Sequence, residues 1–289
     1  MSSNLEDILS LPVEGRIQPL AEYARGLAAQ RTGTNGVDHA ALRGTVEALI
    51  ALIEDGSGSG RERLEMGEVL GLLDDPRLRS TSDPDYWATV TLDDDHQIEV
   101  GRFMVTTAEF RAFLAGAYDD DSNWSAEGLA WRNRCEATWA ELAADPEISQ
   151  LVVANQPVVG VTWYEAEAFA NANGVRLLTQ SERRWVVRGA EKRPDPWGAP
   201  FGTGNTNTRE EALGRPAAVG LFRRDRTPEG IYDLAGNVGE WTSDRNGEQR
   251  IFHPGSWAQP SMASWAKAIE FASAETRSAD LGFRVARGA

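Results

Sequence analysis

Asn237 and Glu240 stand three residues apart in the segment GIYDLAGNVGEWTSD (230–244), where their nearest neighbours are glycine and apolar residues. An amide and a carboxylate this close together can supply oxygen ligands to a hard cation such as Ca²⁺. The same groups also accept hydrogen bonds from buried backbone N–H groups and thereby secure a loop. The motif is compatible with a metal site, a catalytic site or a hydrogen-bonded loop, and it favours the hydrogen-bonded loop.

Residues that bind transition metals are scarce in this chain. The three histidines, His39, His96 and His253, are scattered singly, which argues against a histidine-rich metal site. Cys135 is the single cysteine. An internal disulfide is therefore impossible, and the sequence predicts a cytoplasmic protein.

Composition narrows the choice of partners. The 289 residues carry a formal charge of −15, with 29 basic against 44 acidic residues, so a nucleic-acid backbone is not expected as a partner. Lys192 and Lys267 are the only lysines, and arginine supplies the remaining positive charge. The sequence has neither a signal-peptide pattern nor a long apolar run, so no membrane partner is predicted.

The N-terminal region has the periodicity of helices. The segment VDHAALRGTVEALIALIEDG (37–56) places apolar residues three and four apart, with Asp38 as a predicted N-cap. RERLEMGEVLGLLDDPRL (61–78) repeats the pattern and ends at Asp75-Pro76. We interpret these helices as a support that packs on the remainder of the chain.

From about residue 85 the sequence is rich in tryptophan, glycine, proline and asparagine. Two further helices are predicted, at 106–117 with Thr107 as the N-cap and at 163–174. Short strands and long loops are expected elsewhere. Tryptophan side chains and buried Asn, Asp and Glu hydrogen bonds are the groups available to order such loops.

A series of motifs in this second part resembles a known family. In chain order they are NQPVVGVTWYEAEAFANANGVRLLTQSERRW, PDPWG, NTREEALGRPAAVG, TPEGIYDLAGNVGEWTSD, RIFHPGSW and LGFRVA. Their order and spacing resemble the formylglycine-generating enzyme (sulfatase-modifying factor) domain, from about Val100 to the C-terminus. The resemblance implies an α+β, C-type-lectin-like fold with little regular secondary structure. We accordingly predict a helical region at 1–85 and this domain at 86–289.

The resemblance also implies structural Ca²⁺. In these domains, the Asn and Glu of the GNVxEW loop help to bind Ca²⁺ together with nearby backbone carbonyls, which here correspond to Asn237, Val238 and Glu240. A second Ca²⁺ site of the family involves an asparagine-containing loop, for which Asn205 and Asn207 are the nearest matches.

Redox chemistry of the family is not expected here. The active oxidase that this chain resembles binds copper through two cysteines that follow its GSx motif. Gln259 and Ser264 stand at about those positions in GSWAQPSMASWAKAIEFAS (255–273), and neither replaces a thiolate that binds Cu(I). We therefore expect no copper. Relatives with iron-dependent sulfur chemistry take metal histidines from a helical domain, and residues 1–80 contain only His39.

A scaffold of this kind without catalytic thiols suggests display of a binding surface. The chain resembles the variable proteins of diversity-generating retroelements, whose diversified segment lies between GSW and a final GFR, here 255–257 and 282–284. His253-Pro254 departs from the usual residues before GSW. The candidate ligand-binding residues are Trp257, Gln259, Met262, Trp265, Lys267, Ile269, Phe271 and Glu275. The sequence is equally compatible with a second interpretation, in which Trp265, Ile269 and Phe271 are core residues.

Three functional hypotheses follow from these observations. The favoured one is a catalytically silent recognition module that binds a protein or small ligand through its C-terminal surface, within a bacterial conflict or signalling system. The second is a diverged oxidoreductase that acts on a cysteine-containing protein. The third is a regulatory partner or target of an effector protease or ATPase, with the N-terminal helices as the docking element.

Overall fold

Helices occupy the first quarter of the chain, and short strands separated by long loops make up most of the remainder. The computed structural model describes residues 4–31, 38–93, 95–198 and 201–289. The helices are α1 Leu5–Leu9, α2 Val13–Arg31, α3 His39–Asp55, α4 Gly60–Leu72, α5 Thr107–Gly116, α6 Ala126–Arg132, α7 Trp139–Ala143, α8 Pro146–Ser149, α9 Trp163–Ala172 and α10 Gln180–Arg188. The strands are β1 Trp87–Thr91, β2 Gln97–Gly101, β3 Arg176–Leu177, β4 Gly239–Asn246, β5 Gln249–His253, β6 Glu270–Ser273, β7 Leu281–Phe283 and β8 Val285–Gly288.

Capping residues bound the N-terminal helices, although α4 ends at Leu72, before the predicted end at Asp75-Pro76. The Asp38 carboxylate accepts hydrogen bonds from the N–H groups of Ala40 and Ala41, as expected of the N-cap of α3. Gly56 ends α3 with φ of +74°, a conformation that favours glycine. Ser59 and Glu62 form a capping box at the start of α4.

These helices pack on the second part of the chain and share one apolar core with it. Leu20, Met66 and Leu70 belong to the same buried cluster as Leu221 and Phe222. Polar contacts cross the same boundary, since the Arg63 guanidinium donates to the Gly204 carbonyl at 3.0 Å. Arg215 also forms an ion pair with Glu68. The helical region is therefore part of one packed unit with segment 204–222. Among the described residues, no helix combines the length and apolar character needed to cross a bilayer.

Two four-stranded sheets form the remainder of the framework. The first has the order β1-β2-β8-β3 and is antiparallel throughout. The second has the order β6-β5-β4-β7, in which β4 and β7 run parallel. Only Arg284 separates β7 from β8, so the chain passes from one sheet to the other at this residue.

The core beside these sheets is aromatic. Phe110 of α5, Phe169 of α9 and Phe283 of β7 lie with ring centroids 5.3–6.3 Å apart. The N-cap of helix α5 lies one residue earlier than the sequence analysis predicts. Thr106 is the N-cap, because its hydroxyl and the Glu109 carboxylate form a capping box, whereas Thr107 is the first helical residue.

Tryptophans hold many of the long loops in place. Among the described residues, seven indole N–H groups donate to backbone carbonyls that lie six or more residues away in the sequence. The donor and acceptor pairs are Trp87 and Thr81, Trp124 and Tyr118, Trp139 and Val159, Trp163 and Thr242, Trp185 and Thr91, Trp241 and Val161, and Trp257 and Ala279. Each ring thus contributes apolar area and satisfies a backbone carbonyl, which in five of the seven pairs lies outside the strands.

The contact between α4 and segment 217–222 can be tested at a single glycine. A Cβ added at Gly67 would lie 2.6 Å from Leu221 Cδ1 and 2.9 Å from Ala218 Cβ. We expect Gly67→Ala to lower the free energy of unfolding by about 1–3 kcal/mol through overpacking.

Gly26→Ala in α2 is the matched control, since a Cβ there meets nothing within 4 Å. The free energy of unfolding of the control variant should rise by up to about 1 kcal/mol, because alanine has a higher helix propensity than glycine. Denaturant unfolding measures both variants. A Gly67→Ala protein as stable as Gly26→Ala would show that α4 does not pack on this segment.

Candidate functional site

Asn237 secures its loop through its own side chain. The residue adopts φ of +69°, a left-handed conformation that asparagine tolerates. Its Oδ1 accepts from the Ala217 N–H at 2.8 Å, and its Nδ2 donates to the Ala217 carbonyl at 3.1 Å. The side-chain amide therefore pairs with one residue of a neighbouring loop as a β-strand backbone would.

Glu240 lies buried between two arginines. One carboxylate oxygen accepts from Arg183 Nε, and the other lies 2.9 Å from Arg284 Nε. All three side chains are almost entirely buried. Burial opposes ionisation of Glu240, but the two guanidinium groups outweigh it and hold the pKa of Glu240 below its ordinary value.

The two arginines connect this carboxylate to four segments of backbone. Arg183, on α10, donates to the Leu234 carbonyl. Arg284 donates to the carbonyls of Gly101 at 2.9 Å and Tyr232 at 2.6 Å. The Arg183–Glu240–Arg284 triad therefore joins β4, which carries Glu240, to α10, β2, the β7–β8 junction and the loop before Asn237.

The remaining predicted Ca²⁺ residues lie in the same region but have other roles. Asn207 Nδ2 donates to the Arg215 carbonyl at 3.0 Å and to Asn237 Oδ1 at 3.2 Å. Val238 is buried in the apolar core, and Asn205 is buried beside Asn207. The structure thus brings Asn207, which the sequence analysis assigns to the second Ca²⁺ site, into direct contact with Asn237 of the first.

Asp225 is a buried carboxylate that the sequence analysis does not single out. It accepts from the N–H groups of Leu234, Ala235 and Gly236, and from the Thr206 hydroxyl. Burial raises the pKa of Asp225 to about 6, against these hydrogen bonds, which lower it. Asp225 therefore orders the turn that precedes Asn237.

The side chains of the Asn237 loop do not fit a Ca²⁺ site. Both oxygens of Glu240 face guanidinium groups, and the single Oδ1 of Asn237 accepts two N–H donors. Two buried positive charges beside the only carboxylate of the pair would repel a cation. Across the described ranges, moreover, no group of three or more His, Cys, Asp or Glu residues is arranged to hold a metal. Bound Ca²⁺ stays a prediction that these donors do not favour.

The positions at which the family's copper thiols are expected hold an amide and a hydroxyl. Ser264 is buried and Gln259 is partly exposed. Cys135 is partly buried against the aromatic core, and its Sγ lies 3.1 Å from the Ala137 carbonyl oxygen. None of these groups supplies a pair of thiolates. The expectation that copper is not bound stays a prediction.

Large apolar side chains are exposed on the segment after GSW. The exposed fractions are 67% for Met262, 49% for Trp265, 39% for Ile269 and 42% for Phe271. Trp265, Ile269 and Phe271 are therefore surface residues and do not belong to the core. We call these four residues the apolar patch.

The other candidate ligand-binding residues differ in their surroundings. Trp257 is partly buried against the core and donates to the Ala279 carbonyl at 3.3 Å. Lys267 is exposed, with its Nζ 5.5 Å from the centroid of the Trp265 ring. Glu275 is exposed in an ion pair with Arg134, and the Gln259 carbonyl accepts from Arg209 N. Lys267 is therefore next to the apolar patch, while Trp257 has mainly a structural role.

His253, which departs from the family's usual residue, fixes the position of Trp265. Its Nδ1 accepts from the Gly255 N–H at 3.2 Å, so Nε2 carries the proton and donates to the Trp265 carbonyl at 3.0 Å. Burial, and then the nearby Arg183 charge, hold the pKa of His253 well below its ordinary value. A neutral imidazole therefore ties the end of β5 to the loop that carries the apolar patch.

Two adjoining cavities lie beside the apolar patch. One, of about 450 Å³, is lined by Arg184, Arg188, Trp265 and Lys267 among other residues. The other, of about 280 Å³, shares Arg184 and Arg188 and adds Lys192. Neither arginine was predicted from the sequence as a site residue. Their spacing of four residues on a helix, which puts both on one face, is the signal that could have indicated them.

Comparison with known proteins identifies the family. A sequence model of the Sulfatase-modifying factor enzyme 1-like domain matches residues 79–289. The chain therefore belongs to this family, and its fold is the α+β, C-type-lectin-like fold that the motifs predict. The match takes in the Asn237 loop, the Arg183–Glu240–Arg284 triad and the apolar patch.

Similar proteins include enzymes and a protein named as inactive. The chain is 30% identical over 210 residues to a hercynine oxygenase of Mycolicibacterium thermoresistibile, covering 57% of this chain and 46% of that protein. It is 32% identical over 156 residues to the inactive C-alpha-formylglycine-generating enzyme 2 of Bos taurus, covering 46% and 50%. The chain thus spans about half the length of these relatives.

Solved structures are similar at lower identity. The structure of PvdO from Pseudomonas aeruginosa superposes with a TM-score of 0.49 at 20% identity, covering 68% of this chain and 82% of that one. Treponema denticola variable protein 1 superposes with a TM-score of 0.47 at 18% identity, covering 66% and 84%.

The triad can be tested by removing its negative charge. Glu240→Gln leaves two buried guanidinium groups without a countercharge, so we expect the free energy of unfolding to fall by about 3–5 kcal/mol. Glu275→Gln, in the exposed ion pair with Arg134, is the matched control and should change it by less than about 1 kcal/mol. Urea unfolding measures both, and similar small losses would contradict the buried triad.

Ca²⁺ binding can be tested by thermal unfolding in CaCl₂ and in EGTA. We expect the same melting temperature in both, because the oxygens of Glu240 and Asn237 are engaged by protein donors. A ligand at a hundredfold excess over its Kd stabilises the folded state by roughly 2.7 kcal/mol, so an occupied site would be visible. A higher melting temperature in CaCl₂ that Glu240→Gln abolishes would establish the metal site instead.

Proposed function

We propose that this chain is a catalytically silent recognition module that binds a protein or small ligand through its C-terminal surface. The observation that carries the proposal is the apolar patch. Of the eight large apolar side chains exposed in the described part of the chain, four lie within residues 262–271. A concentration of exposed Trp, Met and Phe is typical of a binding surface.

The contacts that hold the apolar patch in place support the proposal. Strand β6 pairs with β5, and Phe271 lies opposite Ile251 in that ladder. At the other end, His253 holds the Trp265 carbonyl. A surface held in one conformation loses less conformational entropy on binding than a mobile loop would.

The residues at the family's redox positions also support a silent role. Gln259 and Ser264 are hard oxygen and nitrogen donors, which bind Cu(I) poorly. A relative named as an inactive formylglycine-generating enzyme, 32% identical, indicates that the family includes members without that activity.

A diverged oxidoreductase is the second candidate. The similarity to proteins named hercynine oxygenase and formylglycine-generating enzyme favours it. Oxygen uptake by the chain with Cu(I) or Fe(II) and a cysteine-containing peptide tests this activity. Sustained, metal-dependent uptake would contradict the recognition proposal, whose expected result is uptake equal to that without protein.

Affinity capture on the immobilised chain tests the recognition role. The triple variant Met262→Ser, Trp265→Ser, Phe271→Ser should lose about tenfold or more of its affinity for a captured ligand, because truncation of central aromatic contacts weakens binding strongly. The matched control is Leu11→Ser, Leu72→Ser, which changes exposed apolar residues elsewhere. Capture that survives the triple variant, or that the control also abolishes, would contradict a role for the apolar patch.

A further inference from the structure

Both lysines of the chain and two arginines of α10 lie together beside the apolar patch. Arg184 and Arg188 line both adjoining cavities, Lys267 lines the larger one and Lys192 the smaller one. We call these four residues and the two cavities the cationic cleft. Among the described residues that line it, Asp93 is the acidic one.

The positive charges of the cationic cleft lack ion-pair partners within the part of the chain that the structure describes. Among the residues that the structure describes, none of the four forms a salt bridge, whereas nearby Arg176 pairs with Glu182 and Arg183 with Glu240. Four positive charges therefore face solvent on a protein whose formal charge is −15. Such a reversal of sign at one location indicates a site for an anionic group.

The cleft is continuous with the apolar patch through two neighbouring side chains. Trp265 lines the larger cavity and is itself part of the patch. Lys267 Nζ lies 5.5 Å from the Trp265 ring centroid, which places a positive charge beside an exposed aromatic face. A single ligand can therefore contact the apolar and the cationic groups together.

We propose that the cationic cleft binds the carboxylates of an acidic peptide segment of a partner protein, while the apolar patch takes an apolar side chain of the same segment. This proposal rests on the recognition function proposed above. Charge complementarity supports it: the net negative charge of the chain repels an acidic segment, whereas the four positive charges of the cationic cleft attract it and fix its position. The excess of negative charge disfavours the longer phosphate backbone of a nucleic acid.

Selection from a random peptide-display library on the full chain tests the proposal. Selected peptides should contain more Asp and Glu than the unselected library, together with an apolar residue. Their affinity should fall about tenfold or more for the variant Arg184→Gln, Arg188→Gln, Lys192→Gln, Lys267→Gln, since four charge contacts are removed. Affinity for the wild-type chain should also fall as salt rises.

Two controls separate this proposal from the recognition function. The first control is a quadruple variant that removes the same number of positive charges at other positions: Arg111→Gln, Arg209→Gln, Arg223→Gln, Arg224→Gln. Its affinity for the selected peptides should stay within about threefold of the wild-type affinity. The triple variant of the apolar patch should lose the same peptides. Melting temperatures of all variants, measured in parallel, identify any variant that does not fold.

The outcomes are distinct. Peptides that need Trp265 but show no excess of Asp and Glu, or that bind the quadruple cleft variant as well as wild type, would overturn the acidic-segment proposal and leave recognition intact. Failure to select any peptide that depends on the apolar patch would overturn both. Selective binding of an oligonucleotide in preference to acidic peptides would also overturn the proposal.

Discussion

The buried Arg183–Glu240–Arg284 triad is the constraint on which this structure depends. One carboxylate neutralises part of two guanidinium charges, and those guanidinium groups reach the carbonyls of Gly101, Tyr232 and Leu234. A buried ion-pair cluster adds little net stability compared with apolar residues, but it is costly to break once formed. Because Arg284 also marks the passage from one sheet to the other, the triad fixes how the two sheets meet.

Local sequence signals predicted the ends of helices, whereas contacts between residues distant in the sequence were not predicted. Asp38 and Gly56 bound α3 as expected, since capping depends on residues close in sequence. The partners of Glu240 were not predicted, because Arg183 is 57 residues away and Arg284 is 44 residues away. A signal for Arg183 does exist: it shares the buried face of α10 with Val186 and Val187, where a charge requires a buried partner.

The binding surface after GSW stays a prediction, but the exposure of its apolar residues is now known. The resemblance placed a binding surface after GSW, and the structure exposes Met262, Trp265, Ile269 and Phe271 there. Periodicity could not settle this exposure, since an apolar residue on a short strand or loop has the same pattern whether it faces the core or the solvent. The cationic cleft combines α10 with the segment after GSW, and only the tertiary structure brings them together.

These features depend on one another in sequence. The triad and the Asn237 amide order the GNVGEW loop without requiring a metal, His253 ties the next strand to Trp265, and the ordered frame presents an apolar and cationic surface. A crystal structure of the chain grown with CaCl₂ tests the central claim most directly. We expect electron density for both guanidinium groups against Glu240. A metal ion bound by Asn237 and Glu240, with the arginines displaced, would contradict the account.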